Sequence, residues 1–297
     1  MGRFFGYRLT TWWRALKAVF QVMDEKNLSL IAAGVAFFGM LAIFPGLAAI
    51  IAIFGLLADP MIVDAQLDLM RNIIPSDAFD LLDQQIENLT STRTQRLGFA
   101  TIVSIGAALW STRAGVAALM RGLNAINRQP NRSGLRHYVI ALLITITLVG
   151  VAIIALLGIV VAPIVLAIFP LGPVAGIVAE VVRWGLVISV LIVGLSILYR
   201  FGPNRRGARM AWVTPGAFIT LITWGFASAA FSTYLANFGN YNEVYGSIGA
   251  VIAMLMWIYI SAFLVLLGAA LNVALEDVRE ERRRREATEA SGAAAAN

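Results

Sequence analysis

The amino-acid sequence predicts an all-α polytopic membrane protein: six transmembrane helices, an N-terminal interfacial amphipathic helix and a helical extracytoplasmic loop. Three observations carry this prediction. The 297 residues are 59% apolar and only 13% charged, with a mean hydropathy of +0.79, whereas a soluble domain carries about 25% charge. Six long apolar runs have helical length, and no period-two alternation points to a transmembrane barrel. Lys and Arg gather in alternate connections. With no cysteine and one histidine, His137, disulfide scaffolds, thiolate chemistry and His-based zinc clusters are excluded.

Residues 1–28 read as a cytoplasmic amphipathic interfacial helix. Leu9, Trp12, Trp13, Leu16, Phe20 and Met23 fall on one helical stripe, with Arg8, Arg14 and Lys17 elsewhere around it, as in a helix lying among anionic headgroups. The six-helix transmembrane domain covers 29–275, with spans at 29–58, 97–112, 138–169, 181–199, 211–236 and 245–275. A single crossing takes about 20 apolar residues. The first run is too long for a cleavable signal core, and Pro163 is expected to kink the third span. The outer loop 59–96 holds seven acids against three arginines. Within it, Pro75, Ser76 and Asp77 start a predicted helix whose face carries Phe79, Leu82, Ile86 and Leu89. The charged tail, 276–297, has i,i+4 spacing for Glu280–Arg284 and Glu281–Arg285 pairs.

Orientation follows from the cations. They lie before span one (Arg3, Arg8, Arg14, Lys17, Lys26), between spans two and three (Arg113, Arg121, Arg128, Arg132, Arg136), between four and five (Arg200, Arg205, Arg206, Arg209) and after span six (Arg279 and 282–285). The other connections are acidic or nearly uncharged, so both termini are expected in the cytoplasm. The net charge of +6 is this bias rather than a nucleic-acid footprint.

The span cores lack ionisable residues, so candidate contacts are uncharged or lie at span ends. Ser232, Tyr234, Asn237, Asn240, Tyr241, Asn242, Glu243, Tyr245 and Ser247 form a dense polar band at the outer end of spans five and six. It suits a sugar or phosphate headgroup, with backbone donors at the start of span six; an interfacial belt with turn chemistry accounts for the same residues. Arg200, Arg205, Arg206 and Arg209 form a basic loop that suits an anionic lipid headgroup, although topogenesis alone also explains it. Asn124 and Asn127, with Arg121 and Arg128, make a further polar cluster beyond span two. Gly246/Ala250 and Gly249/Ala253 are small pairs for close helix packing, as are Ala32/Ala36 and Gly225/Ala229. Discontinuous substrate-binding helices are the sharper alternative. No catalytic residue, metal site or cofactor is expected, and no phosphate-binding loop for ATP occurs.

Several stretches resemble the YihY/BrkB family. They are Tyr241-Asn-Glu-Val-Tyr-Gly-Ser-Ile-Gly-Ala250 through Trp257 to Ser261, then Leu267-Gly-Ala-Ala-Leu-Asn272, with Ala32-Ala33 to Phe44-Pro45 in the first span. Leu109-Trp-Ser111 with Leu123-Asn124, Tyr199-Arg-Phe-Gly-Pro203 and Trp212-Val-Thr-Pro-Gly216 belong with them. The resemblance covers about 20–276. It implies a six-span protein of the bacterial cytoplasmic membrane, from a family once mislabelled ribonuclease BN and linked to serum resistance and lipopolysaccharide export. Where the family usually carries Glu in its Gly-Ala-Glu-Leu-Asn motif, this chain has Ala270. The expected function is a transporter or flippase-like factor for an envelope lipid or amphiphile. The alternative is a non-transporting envelope assembly or integrity protein. Neither enzyme activity nor nucleic-acid binding is expected, and a ribonuclease least of all, because the clustered carboxylates of 59–96 face away from cytoplasmic RNA. Expected partners are membrane lipids, a second copy or an envelope assembly protein.

Overall fold

The computed structural model describes residues 3–4, 7–57, 94–158, 173–205, 210–237 and 241–295. A two-residue hairpin, β1 (Arg3–Phe4) and β2 (Tyr7–Arg8), precedes seven helices among these residues. The helices are α1 (Leu9–Glu25), α2 (Leu28–Leu57), α3 (Thr94–Ile126), α4 (Gly134–Leu156), α5 (Pro173–Phe201), α6 (Pro215–Asn237) and α7 (Tyr241–Ala295). Six of them contain stretches long and apolar enough to cross a membrane: Leu28–Gly46, Ile102–Ile126, Gly134–Ala155, Ala175–Phe201, Pro215–Leu235 and Gly249–Glu289. The predicted helix of the outer loop, and Pro163, lie outside the described residues.

The chain forms two compact units, Met1–Phe37 with Arg113–Asn297, and Phe38–Thr112. In the smaller, the described residues are the C-terminal part of α2 and the N-terminal part of α3, where the Thr112 hydroxyl donates back to the Ala108 carbonyl at 2.7 Å. In the larger, α7 packs along α6 and α1, and α5 lies against both α4 and α6. Leu28, Met120, Leu123, Ile126, Tyr199, Leu266 and Leu275 are fully buried at its centre. Phe226, Val181, Ile177 and Leu143 are exposed, as on a surface solvated by lipid rather than water.

Three helical stretches extend beyond the expected spans. The second helix runs 14 residues past 112, to Ile126. Val116, Met120, Leu123 and Ile126 recur at helical spacing and are buried, so the stretch from 113 to 126 is an amphipathic helix. Arg113 is consequently mid-helix, its guanidinium 4.4 Å from the Tyr138 ring centre. The turn expected at 237–244 is shorter, because α7 starts at Tyr241. Finally, α7 continues through the charged tail to Ala295, since Ala, Glu and Arg are strong helix formers and neither Pro nor Gly interrupts them before Gly292. Among the described residues the ion pair formed there is Arg282–Glu286 at 2.6 Å, and neither Glu280–Arg284 nor Glu281–Arg285 closes to 4.0 Å.

The expected stripe of α1 divides in two. Ala15 and Val19 are buried and Trp12, Val22 and Met23 pack against the core, whereas Trp13, Leu16 and Phe20 point outward. Lys17 lies 5.7 Å from the Trp13 ring centre. Asn27, at φ 50°, ends the helix in the left-handed conformation that Asn tolerates.

Candidate functional site

Thr214, Gly216 and Thr220 lie at the start of α6, Tyr199 near the end of α5, and Gly268 and Asn272 along α7. Thr214 and Pro215 are a cap and first-turn pair: the Ala217 N–H donates to the Thr214 hydroxyl at 3.2 Å. From α7, Asn272 grips the same turn. Its Oδ1 accepts from the Gly216 N–H at 2.7 Å, and its Nδ2 donates to the Thr214 hydroxyl at 2.9 Å. One turn further, the Tyr199 hydroxyl donates to the Val265 carbonyl at 2.8 Å and stands 3.0 Å from the Thr220 hydroxyl. Only glycine permits this approach. A Cβ at Gly268 would overlap the Thr220 hydroxyl and stand 2.6 Å from that of Tyr199. A Cβ at Gly216 would overlap the Gly268 carbonyl.

A space adjoins the crossing on each side. Towards the middle of the spans, an apolar cleft of about 300 Å³ is bordered by Val35, Leu119, Leu191, Leu221, Ala262 and Val265. Its polar groups are Thr220, Trp224 and Ser261, of which the Trp224 Nε1–H donates to the Ser261 hydroxyl at 2.9 Å. On the other side, a crevice of about 250 Å³ is lined by Ala211, Thr214, Asn272, Glu276 and Arg279.

The connections beyond the crevice are held by guanidiniums. Arg205 donates to both carboxylate oxygens of Glu276 (2.6 and 3.3 Å) and to Asn127 Oδ1 (2.7 Å), and Arg128 pairs with Asp277 at 3.1 Å. Arg132 donates to the carbonyls of Phe201, Gly202 and Pro203 at 3.2, 2.6 and 2.7 Å, a cation at a helix C-terminus. Burial first, and then the Arg136 cation, lower its pKa below the ordinary value. Asn124 binds Asn131 and the Asn204 N–H at 2.9 and 2.7 Å.

The expected candidates are distributed unevenly. Arg205 is engaged as above; Arg200 donates to the Met210 carbonyl, its guanidinium 4.9 Å from the Trp212 ring centre. Arg206 and Arg209 lie outside the described residues. In the polar band, Ser232 and Tyr234 are exposed on α6, with Tyr234 stacked on Phe231 at 6.3 Å. Asn237 ends α6 and Asn240 lies outside the described residues. Tyr241, Asn242, Glu243, Tyr245, Gly246 and Ser247 occupy the first turns of α7, their side chains outside the described residues. Of the small residues, Gly249 is buried and Ala253 half-buried, both beside Phe231 of α6, whereas Ala250 faces outward. Tyr199, Thr214, Thr220, Gly268, Asn272 and Glu276 were not among the site candidates. Tyr199, Thr214, Gly216, Gly268 and Asn272 all lie in the stretches quoted for the family resemblance, but nothing in their linear spacing says that they meet.

Six helices long and apolar enough to cross a membrane define a multi-pass helical membrane protein. The chain belongs to the BrkB family, whose profile, described as virulence factor BrkB, matches residues 19–293. It is 32% identical over 258 residues to the ribonuclease-like protein YfkH of Bacillus subtilis, covering 82% of this chain and 88% of that one. A UPF0761 membrane protein of Kangiella koreensis is 21% identical over 92% of this chain and 68% of its own. One of Idiomarina loihiensis is 31% identical over about a third of each chain (32% and 34%). No solved structure matches the chain significantly.

Proposed function

We propose that the protein is a transporter or flippase-like factor for an envelope lipid or amphiphile, resident in the cytoplasmic membrane with both termini in the cytoplasm. The observation that carries this reading is the cleft of about 300 Å³. It has the size of a small-molecule site and an apolar wall with few polar handles, and it sits at mid-span residues, where a hydrocarbon chain has its lowest free energy. Its walls come from α2, α3, α5, α6 and α7, so a change in their packing changes its volume. Neither catalysis nor nucleic-acid binding belongs to this reading, and the ribonuclease-like name of YfkH is not carried over. A ribonuclease needs a general base or metal carboxylates exposed to RNA, and on this topology the clustered carboxylates of 59–96 lie on the outer side. The second reading, an envelope assembly protein, draws on the exposed charged end of α7 as a surface for a partner protein or a second copy.

The test is transfer of fluorescent lipids across proteoliposomes, with lipids that co-purify with the protein identified by mass spectrometry. Transfer above that of protein-free vesicles is expected, slowed when Leu221→Trp fills the cleft. Transfer equal to that of empty vesicles would remove the transport reading in favour of the assembly role.

A further inference from the structure

Covalent continuity holds α1 at the edge of the bilayer. Only Lys26 and Asn27 separate it from α2, whose membrane-crossing stretch begins at Leu28. Asn27, at φ 50°, breaks the helical path, so α1 is a rod distinct from the first span. Along α2, Leu30, Phe37, Leu41 and Phe44 are exposed, an apolar stripe suited to lipid.

The two faces of α1 have different surroundings. Ala15 and Val19 belong to the buried core, and the helix packs along α7. The outward face carries Trp13 and Phe20, 65% and 63% exposed, with Leu16 between them. Lys17 lies on this face, 5.7 Å from the Trp13 ring centre, and Arg14 is exposed at its margin. Arg3 and Arg8 sit in the hairpin just before the helix, whereas Asp24 and Glu25 are at its far end. The end that carries the tryptophan is therefore cationic.

Apolar rings beside cations, two residues from a membrane span, match the boundary between hydrocarbon and phosphate. Tryptophan settles at that level, and a lysine stem lies over apolar surface while its ammonium reaches an anionic headgroup. A second copy docked on this face about a two-fold axis would bring Arg14 and Lys17 towards their own counterparts, like charge against like. We infer that the outward face of α1 is a docking surface for the anionic headgroup layer on the side of the basic connections. Trp13, Leu16 and Phe20 insert, and Arg14 and Lys17 meet lipid phosphates. Because Ala15 and Val19 hold α1 against the protein, the helix is in place before it meets lipid. Docking then has no coil to order, unlike that of a free amphipathic segment. The assignment holds whether the protein moves lipids or assembles partners.

The chain has no cysteine, so Phe20→Cys and Trp13→Cys each accept a single bimane label. Labelled protein is reconstituted in vesicles of phosphatidylcholine, alone or mixed with phosphatidylglycerol. A nitroxide on the upper acyl chain of the lipid is expected to quench both labels, and aqueous iodide to quench them weakly. Phosphatidylglycerol strengthens this pattern. Lys17→Gln lowers the ratio of docked to undocked label about fivefold, the effect of one cation near an anionic surface. All three positions are exposed, so the fold is retained, and unchanged thermal midpoints check this. Labels open to iodide and untouched by nitroxide lipid in both kinds of vesicle would overturn the docking surface. Labels shielded from both quenchers would overturn it in favour of a covering protein. Lipid quenching that ignores phosphatidylglycerol and survives Lys17→Gln would overturn the anionic partner.

Discussion

Gly268 and Gly225 show how differently two helical glycines act. A side chain at Gly268 meets Thr220, Tyr199 and the Gly216 carbonyl, whereas one at Gly225 meets nothing within 4 Å. Gly268→Ala should therefore overpack the crossing and destabilise the protein by about 1–3 kcal/mol. Gly225→Ala should be neutral or stabilising by up to about 1 kcal/mol. Thermal unfolding in detergent measures both, and the reverse order would contradict the crossing. Arg132 is the second decisive residue, since it supplies donors to three carbonyls at the C-terminal end of α5. Arg132→Gln is expected to lose about 2 kcal/mol. Arg132→Lys should recover only part of that, because an ammonium lacks the planar fork. Glycine at i,i+4 from a small residue was legible in the sequence. Which pair meets another helix was not, because Gly225/Ala229 and Gly216/Thr220 have the same spacing and opposite surroundings.

At the scale of elements, α7 is a continuous rod of 55 residues, about 80 Å long, against a hydrocarbon core of about 30 Å. Its charged end is joined to the chain connecting α5 and α6 through Arg205–Glu276. A double-mutant cycle on that pair should give a coupling of about 1–2 kcal/mol, between exposed and buried limits, because Arg205 is 15% exposed and Glu276 42%. Zero coupling would mean that the pair merely decorates the surface. The two faces of α1 make a separate prediction. Val19→Asp places a carboxylate against the core and should destabilise by about 3 kcal/mol, whereas Phe20→Asp, one residue on, should leave the thermal midpoint in detergent nearly unchanged. The sequence showed that α1 is amphipathic. It did not separate the face packed on the protein from the outward one, because both are apolar and adjacent on the helix.

For the whole molecule, the distribution of Lys and Arg predicts that a reporter fused at Ser91 reads the outer side and one fused after Asn297 the cytoplasm. The opposite result would invert the orientation. The absence of cysteine makes single-cysteine labelling an independent check of the same expectation.

The sequence by itself determined the class and the number of helices long and apolar enough to cross a membrane. Each of these depends on local composition summed over about 20 residues, and no partner elsewhere in the chain can reverse it. The tertiary structure decided which polar groups are internal. Asn272 caps α6, Arg132 closes α5 and Arg205 neutralises Glu276 because residues 56, 69 to 71 and 71 positions apart meet. In a low-dielectric interior such groups must find hydrogen-bond partners, but linear spacing does not say which. Only the packing of α5, α6 and α7 does, and the same packing leaves the apolar cleft on one side of the Gly216–Gly268 crossing and the crevice with Arg279 on the other.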